Sequence, residues 1–383
     1  VIAPAKRISE VSEYYFSKKM QEVSFLEKKG NSIINMGIGS PDIFPPKNAV
    51  KHLKKSLPLS MAHQYQNYYG ILEFRQAIAN FYQKQYKVFL KPESEVLPLL
   101  GSKEGILHIS MAFLNKGDKV LIPNPGYPTY SSVTKLLGAV PLYYDLDFSN
   151  NWQPDFEKLN KINLKDVKIM WINYPNMPTG ADFCEKTISK IVQWAEKKNI
   201  LLVNDNPYSF ILNDNPRSIL FFSKEKKNVL ELNSLSKSFN MAGWRIGMLL
   251  GSKENIQLIL RVKTNIDSGM FYAVQKGAIA ALNSSNLWFK NLNKTYKKRR
   301  KLVEKIAILL GLEFDKNSVG LFLWAKLKNK KIAAADFVDK LLYEKGIFIA
   351  PGNIFGSNGE GYVRLSLCVK EKEMEKAIKR LSK

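Results

Sequence analysis

The chain has 383 residues, 45% of them hydrophobic and 24% charged, with a formal net charge of +24. That balance excludes a disordered or low-complexity chain, and the length suits about two domains at roughly 100–200 residues each. No apolar run approaches the roughly 18 residues of a membrane span. Two cysteines and three histidines indicate neither a disulfide framework nor a Cys- or His-rich centre, so no metal site is expected. The opening stretch Val1 to Arg7 lacks the apolar segment of a secretory signal, which makes the cytoplasm the expected compartment. The basic residues are spread along the whole chain, so they read as a Lys-rich surface and argue against a nucleic-acid partner. Their densest cluster, Lys294 to Lys301, falls in a helical pattern and reads as a solvated helix face.

In chain order, the first 44 residues read as an arm, and residues 45–285 as a large α/β domain. There, β-prone runs (Val120 to Ile122, Val167 to Ile172, Ile200 to Val203, Val229 to Leu232) alternate with helical patterns. The helices are expected at Glu104 to Leu114, Tyr127 to Leu137, Glu185 to Lys197 and Lys253 to Lys263. Strands alternating with helices of about 10–15 residues predict βαβ units, a mostly parallel sheet and flanking helices. From Asn286 the pattern changes to a long charged helix reaching about Leu310. After it come a strand (Leu321 to Leu327), a helix (Ala333 to Lys345), short strands near Phe348 and at Tyr362 to Leu367, and a last helix from Lys370. Residues 286–383 therefore read as a smaller α+β domain, with the arm packed beside it. Doubly wound sheets place ligands at the carboxyl ends of their strands, so the chemistry is sought there.

Five strand ends carry suitable residues. Leu99-Leu100-Gly101-Ser102-Lys103 runs from a strand straight into a helix, whose first amides, of Ser102 and Lys103, suit a phosphate. Many turns share that pattern. Tyr127, in Pro125-Gly126-Tyr127-Pro128, suits stacking on a flat ring, or packing beside a Pro-rich turn. Asn173 to Gly180 is a rigid turn whose X–Pro bonds are candidates for cis geometry. Asp205, ending a buried strand, needs a partner such as a protonated pyridine nitrogen, or else bonds its own turn. Tyr208 would then face the ring's phenolic oxygen. Finally, Lys237 sits among small hydroxyl residues eight positions before Arg245. Partial burial beside another cation would make such a lysine a nucleophilic amine. Ser234 and Arg245 suit phosphate by hydroxyl and guanidinium hydrogen bonds, and the alternative is a solvated polar loop.

Together and in this order, these motifs resemble the class I/II aminotransferases of pyridoxal-5'-phosphate fold type I, a group that includes aspartate and LL-diaminopimelate aminotransferases. The resemblance runs from about Lys6 to the C-terminus, and Ser234-Leu235-Ser236-Lys237 through Arg245 is its most specific part. It implies that Lys237 holds the cofactor as a Schiff base and shuttles the substrate α-proton. Asp205 would meet the pyridine nitrogen and Tyr208 the ring oxygen. Ser102, Lys103, Ser234 and Arg245 would form the phosphate cup, and Tyr127 would stack on the ring. By the same resemblance, Arg364 clamps the substrate α-carboxylate, Gly39 offers a backbone contact beside it, and Tyr65 reaches the phosphate in a neighbouring subunit. A homodimer with shared active sites is thus implied, acting on an amino acid and a 2-oxo acid by a ping-pong route. One departure stands out: the family usually has Asn directly before Pro-Thr-Gly, where this chain has Met177. Adjacent side chains on an extended segment point to opposite sides, so no role passes to Asn176.

Two other readings keep the same cup. One is a β-lyase or decarboxylase on the same fold; the other is a cofactor-binding nucleic-acid regulator, motivated by the charge. The regulator would need an appended DNA-binding module, yet the enzyme-like pattern starts almost at the first residue. Contacts near Phe16, Ile38 and Ser268 are expected around the substrate side chain, and the pair Tyr14-Tyr15 either lines that pocket or packs the arm.

Overall fold

The computed structural model describes residues 2–329 and 331–383; Val1 and Lys330 lie outside them. In chain order the strands are β1 (Ile34–Asn35), β2 (Val96–Leu99), β3 (Lys119–Asn124), β4 (Val140–Asp145), β5 (Val167–Ile172), β6 (Leu201–Asp205) and β7 (Val229–Ser234). They continue with β8 (Gly247–Leu250), β9 (Leu312–Phe314), β10 (Phe322–Leu327), β11 (Ile347–Phe348), β12 (Ala350–Pro351) and β13 (Tyr362–Ser366). Seven of them form one sheet in the order β2-β8-β7-β6-β5-β3-β4. All its strands run parallel except β8, which is antiparallel to both of its neighbours. Strands β6 and β7 are buried at every position, as expected where helices cover both faces of a parallel sheet. Apolar runs such as Leu201-Leu202-Val203 therefore fill the middle of the sheet, and polar residues come at the strand ends. Glu231 is the exception within β7. Tyr82 Oη and the Ile219 amide donate to its carboxylate at 2.8 and 2.9 Å, which offsets its burial.

The flanking helices lie close to their predicted places: Ser102–Phe113, Pro128–Leu136, Glu185–Lys198 and Lys253–Lys263. Local chemistry sets their ends. Ser252 caps the last of them by accepting from the Asn255 amide, and the third stops at Asn199 in the left-handed region. No helix among the described residues is long and apolar enough to cross a membrane.

The smaller sheet is antiparallel, in the order β12-β13-β10-β9. A two-residue parallel ladder joins β1 to β11, and the ion pair Lys19–Asp339 ties the N-terminal helix Tyr15–Lys28 to the helix Ala334–Lys345. The long helix Asn286–Leu309 buries Phe289, Leu292, Tyr296 and Val303 and exposes Lys294, Lys297, Lys298 and Lys301. Arg299 and Arg300, in the same basic cluster, are buried instead. Arg299 forks onto Asp42 and also reaches Glu371, while Arg300 pairs with Glu304. The solvated-face reading thus fits the lysines and not these two arginines. A guanidinium can spread its donors over several acceptors in a partly dry site, where an ammonium cannot.

Candidate active site

Strand ends converge on a cavity of about 330 Å³. From the carboxyl end of β6 comes Asp205, with Tyr208 on the turn beyond it. Ser234 ends β7, and Lys237 stands on the short helix Leu235–Ser238. Arg245 precedes β8; Ser102 and Lys103 open the helix after β2; Tyr127 precedes the helix Pro128–Leu136. Gly39 reaches in from the N-terminal segment and Arg364 from β13 of the smaller sheet. Ten of the eleven sequence-predicted site residues thus line one cavity. Tyr65 does not, and is 91% exposed.

The corner of the cavity formed by Ser102, Ser234 and Arg245, next to Gly101, is built from close backbone approach. Gly101 has φ +94°, and a Cβ there would overlap the Arg245 guanidinium. Ser234 Oγ lies 2.8 Å from Ser236 Oγ and also accepts from the Ser236 amide. Arg245 Nη1 donates to Ala242 O at 2.8 Å, which fixes one arm of its fork. Gly39 is needed for space as well, because a Cβ would run into the Phe322 ring.

Asp205 is 5% exposed. Tyr130 Oη donates to its Oδ2 at 3.0 Å, while Oδ1 is buried with no donor. Burial pushes this carboxyl up to about 7, against the pull of Tyr130 and Lys237. Lys237 Nζ donates to Gly39 O at 2.7 Å. Burial lowers its pKa, and the Arg364 and Arg245 cations lower it further, against an opposing effect of Cys368. Arg364 is 4% exposed, with its guanidinium carbon 3.9 Å from the Phe322 ring centre and 4.7 Å from that of Phe355. Its Nη2 donates to Gly37 O at 2.8 Å, and Nε is buried without an acceptor. Burial lowers its pKa to about 10.

These groups fit pyridoxal 5'-phosphate. Asp205, whose Oδ1 is buried without a partner, lines the cavity and can take a protonated ring nitrogen, and the hydroxyls of Ser102 and Ser234 with the Arg245 guanidinium suit a phosphate. At the departure noted above, Met177 lines the cavity with its Sδ 3.2 Å from Arg364 Nη1. Asn176 is used within its own turn, donating to Asn173 O and accepting from Thr179. Residues singly ambiguous in sequence also enter the site. Tyr130 stacks on Trp171 with centroids 4.9 Å apart, and the Asn173 side chain donates to Asp205 O. Tyr14 and Phe16 line the cavity, whereas Tyr15 packs edge-on against Phe16, and Ser268 is not part of the lining. Only the repeat of Tyr in Tyr127-Pro128-Thr129-Tyr130 hinted at Tyr130.

The model of the family Aminotransferase class I and II matches residues 31–381. The LL-diaminopimelate aminotransferase of Aquifex aeolicus is 39% identical over 377 residues, covering 98% of this chain and 97% of that protein. The enzyme of the same name from Halothermothrix orenii is 37% identical over 379 residues, with 98% and 97% covered. Among solved structures, apo-BacF from Bacillus subtilis superposes with a TM-score of 0.95 at 33% identity, covering 99% of this chain and 98% of that one. A Thermus thermophilus aspartate aminotransferase shares the fold, with a TM-score of 0.92 at 23% identity and 99% of each chain covered. The chain therefore belongs to the class I and II aminotransferases, pyridoxal-phosphate-dependent enzymes that move an amino group between an α-amino acid and a 2-oxo acid.

Proposed function

We infer that this enzyme transaminates an amino acid bearing a second charged end, of the LL-diaminopimelate kind, in a cytoplasmic homodimer with shared active sites. The observation that carries the reading is the single cavity that gathers Lys237, Asp205 and Arg364. For the substrate, support comes from full-length relatives of that name. For the dimer, support comes from the exposed Tyr65, from Leu59 and Met61 exposed just before it in the chain, and from the exposed Phe271, which lies against His63. We place the site where three units meet: an arm to residue 44 bringing Gly39, a large domain over 45–285, and a small domain over 286–383 bringing Arg364.

When bound, pyridoxal 5'-phosphate supplies an electron sink for the bonds at the substrate α-carbon. Arg364 clamps the α-carboxylate by its fork, and the aromatic rings around it exclude water and hold its plane. Lys237 would hold the cofactor through its amine, and that amine, which donates to Gly39 O at 2.7 Å, would also carry the substrate α-proton. Burial lowers its pKa, which favours the neutral amine that a base requires. Asp205 would set a negative charge against the ring nitrogen, Tyr208 would serve the ring oxygen, and Tyr127 would stack on the ring. Ser102, Lys103, Ser234 and Arg245 would hold the phosphate with backbone and side-chain donors, joined by Tyr65 of a neighbouring copy. The amino group left by one amino acid is collected by a second 2-oxo acid.

Absorbance spectroscopy tests this. A cofactor band near the visible should be bleached by one amino acid and restored by its 2-oxo acid; if LL-diaminopimelate leaves it unchanged while another amino acid bleaches it, the proposed substrate is wrong. Product identity separates lyase chemistry, because release of ammonia without an aminated acceptor would replace transamination.

A positioning effect is expected at Asp42. Arg299 Nη2 donates to Asp42 Oδ2 at 3.0 Å, and this part-buried fork pins the segment that carries Gly39. In steady-state kinetics, Asp42→Asn should raise KM for the amino acid about tenfold, by loss of a charge-assisted bond, with a smaller change in kcat. An unchanged KM would dismiss that role.

A further inference from the structure

We propose that Glu104 and Asp267 are positioning residues that share one proton and brace the phosphate loop against the segment carrying Tyr65. The inference rests on reading residues 100–103 as that loop. Glu104 Oε2 accepts from the Leu100 amide at 2.6 Å, which fixes the peptide just before Gly101 and the Ser102 amide. On its other side a Glu104 carboxylate oxygen lies within 4.8 Å of one of Asp267, with a His108 ring nitrogen within the same distance of both. Asp267 Oδ1 already takes Lys263 Nζ at 2.7 Å and the Gly269 amide at 2.8 Å. Its Oδ2 is buried with no donor. Two carboxylates so close repel when both are ionised, whereas one proton between them removes the repulsion and satisfies that oxygen.

The surroundings place the proton on Glu104. Burial and the adjacent Asp267 push it up to about 7. For Asp267 the Lys263 ammonium and the Gly269 amide outweigh burial, so its carboxyl lies below the ordinary value. His108, one turn along the same helix, has Nε2 3.4 Å from Glu104 Oε1 and both ring nitrogens without partners. Burial lowers its pKa to about 4, so it stays neutral and adds no charge. The remaining charges facing the group are Lys263 on the packed helix Lys253–Lys263, and Lys103 with Arg245 on the cavity side of the loop. The brace extends further: a Cβ on Gly269 would sit 2.6 Å from Gln66 O, the residue next to Tyr65. An anionic phosphate in the cup therefore senses, through one turn of backbone, whether Glu104 carries its proton.

The test measures binding of pyridoxal 5'-phosphate to the full-length apoprotein by quenching of intrinsic fluorescence at pH 6 and pH 8.5, with phosphate-free pyridoxal in parallel. Glu104→Ala should weaken phosphate-bearing cofactor about tenfold, because the Leu100 amide loses its acceptor, and leave pyridoxal unchanged. Glu104→Gln keeps an acceptor for Leu100 and a donor for Asp267 but cannot titrate. It should restore affinity and flatten the part of the pH dependence that wild type shows above pH 7. Equal losses for Ala and Gln, a loss shared by pyridoxal, or a Gln variant with the wild-type pH profile would each overturn the proposal. Wild type that binds no cofactor at all would overturn the reading of the cup as well.

Discussion

Lys237→Ala should lower transamination by roughly 10⁴-fold or more, because a positioned general base alone contributes about 10²–10⁴ and this lysine also holds the cofactor. The geometry gives it no substitute. Lys103, the other lysine lining the cavity, has its Nζ 4.9 Å from the Tyr14 ring centre, on the side of the phosphate loop. Asp205 is committed to Tyr130 and to the ring nitrogen it would face. The variant should still take up the cofactor through Ser102, Ser234 and Arg245, so a normal fold with near-complete loss of turnover is the expected pair of results. Single-turnover measurement of α-proton removal checks it, and a loss of less than about tenfold would place the proton carrier elsewhere. The wild-type rate should also fall as pH drops, since the amine is useful only when neutral.

Much of this was legible in the sequence because the same physics writes both. The central strands announce themselves as apolar runs, since a parallel sheet covered on both faces leaves no polar positions to alternate. The polar pair that ends each run, Asn204-Asp205 after Val203 and Asn233-Ser234 after Leu232, then falls at a carboxyl end. What stayed hidden was of two kinds. Strands of two or three residues, such as β1, β9 and β12, are too short to show a period, and they exist because distant partners are present. Side chains that work through other side chains carry no local mark either. Tyr130 reads as one more aromatic in a helix, yet it holds Asp205. Arg299 reads as one more base in Lys294 to Lys301, yet it is buried on Asp42 from a segment more than 250 positions away. Glu104 reads as an ordinary acid in the first turn of a helix. Burial and pairing decide these roles, and both depend on contacts that sequence spacing does not encode.

Asp205→Asn should cost on the order of 10²–10³-fold in α-proton removal, the loss typical of one partner taken from a buried charged pair. An amide matches the carboxylate in size and still accepts from Tyr130, so the fold and the cavity should be kept. It carries no charge to hold a proton on the ring nitrogen, and the electron sink weakens for that reason. The wild-type apoprotein supplies a second readout. Without a partner for Oδ1, burial pushes the Asp205 carboxyl up to about 7, above its ordinary value near 4. The folded apoprotein therefore binds this proton more tightly than the unfolded chain. Its contribution to stability is full below pH ~4 and is lost as pH rises through about 7. Asp205→Asn removes that titration, so apo wild type should lose thermal stability relative to the variant between pH 5 and 8, as scanning calorimetry would detect. Cofactor binding should reverse the order, because the carboxylate then has its cationic partner and the amide has none. If holo wild type and holo variant melt together at pH 8, Asp205 does not hold a charged ring nitrogen, and the electron sink would have to be maintained by other groups in the cavity.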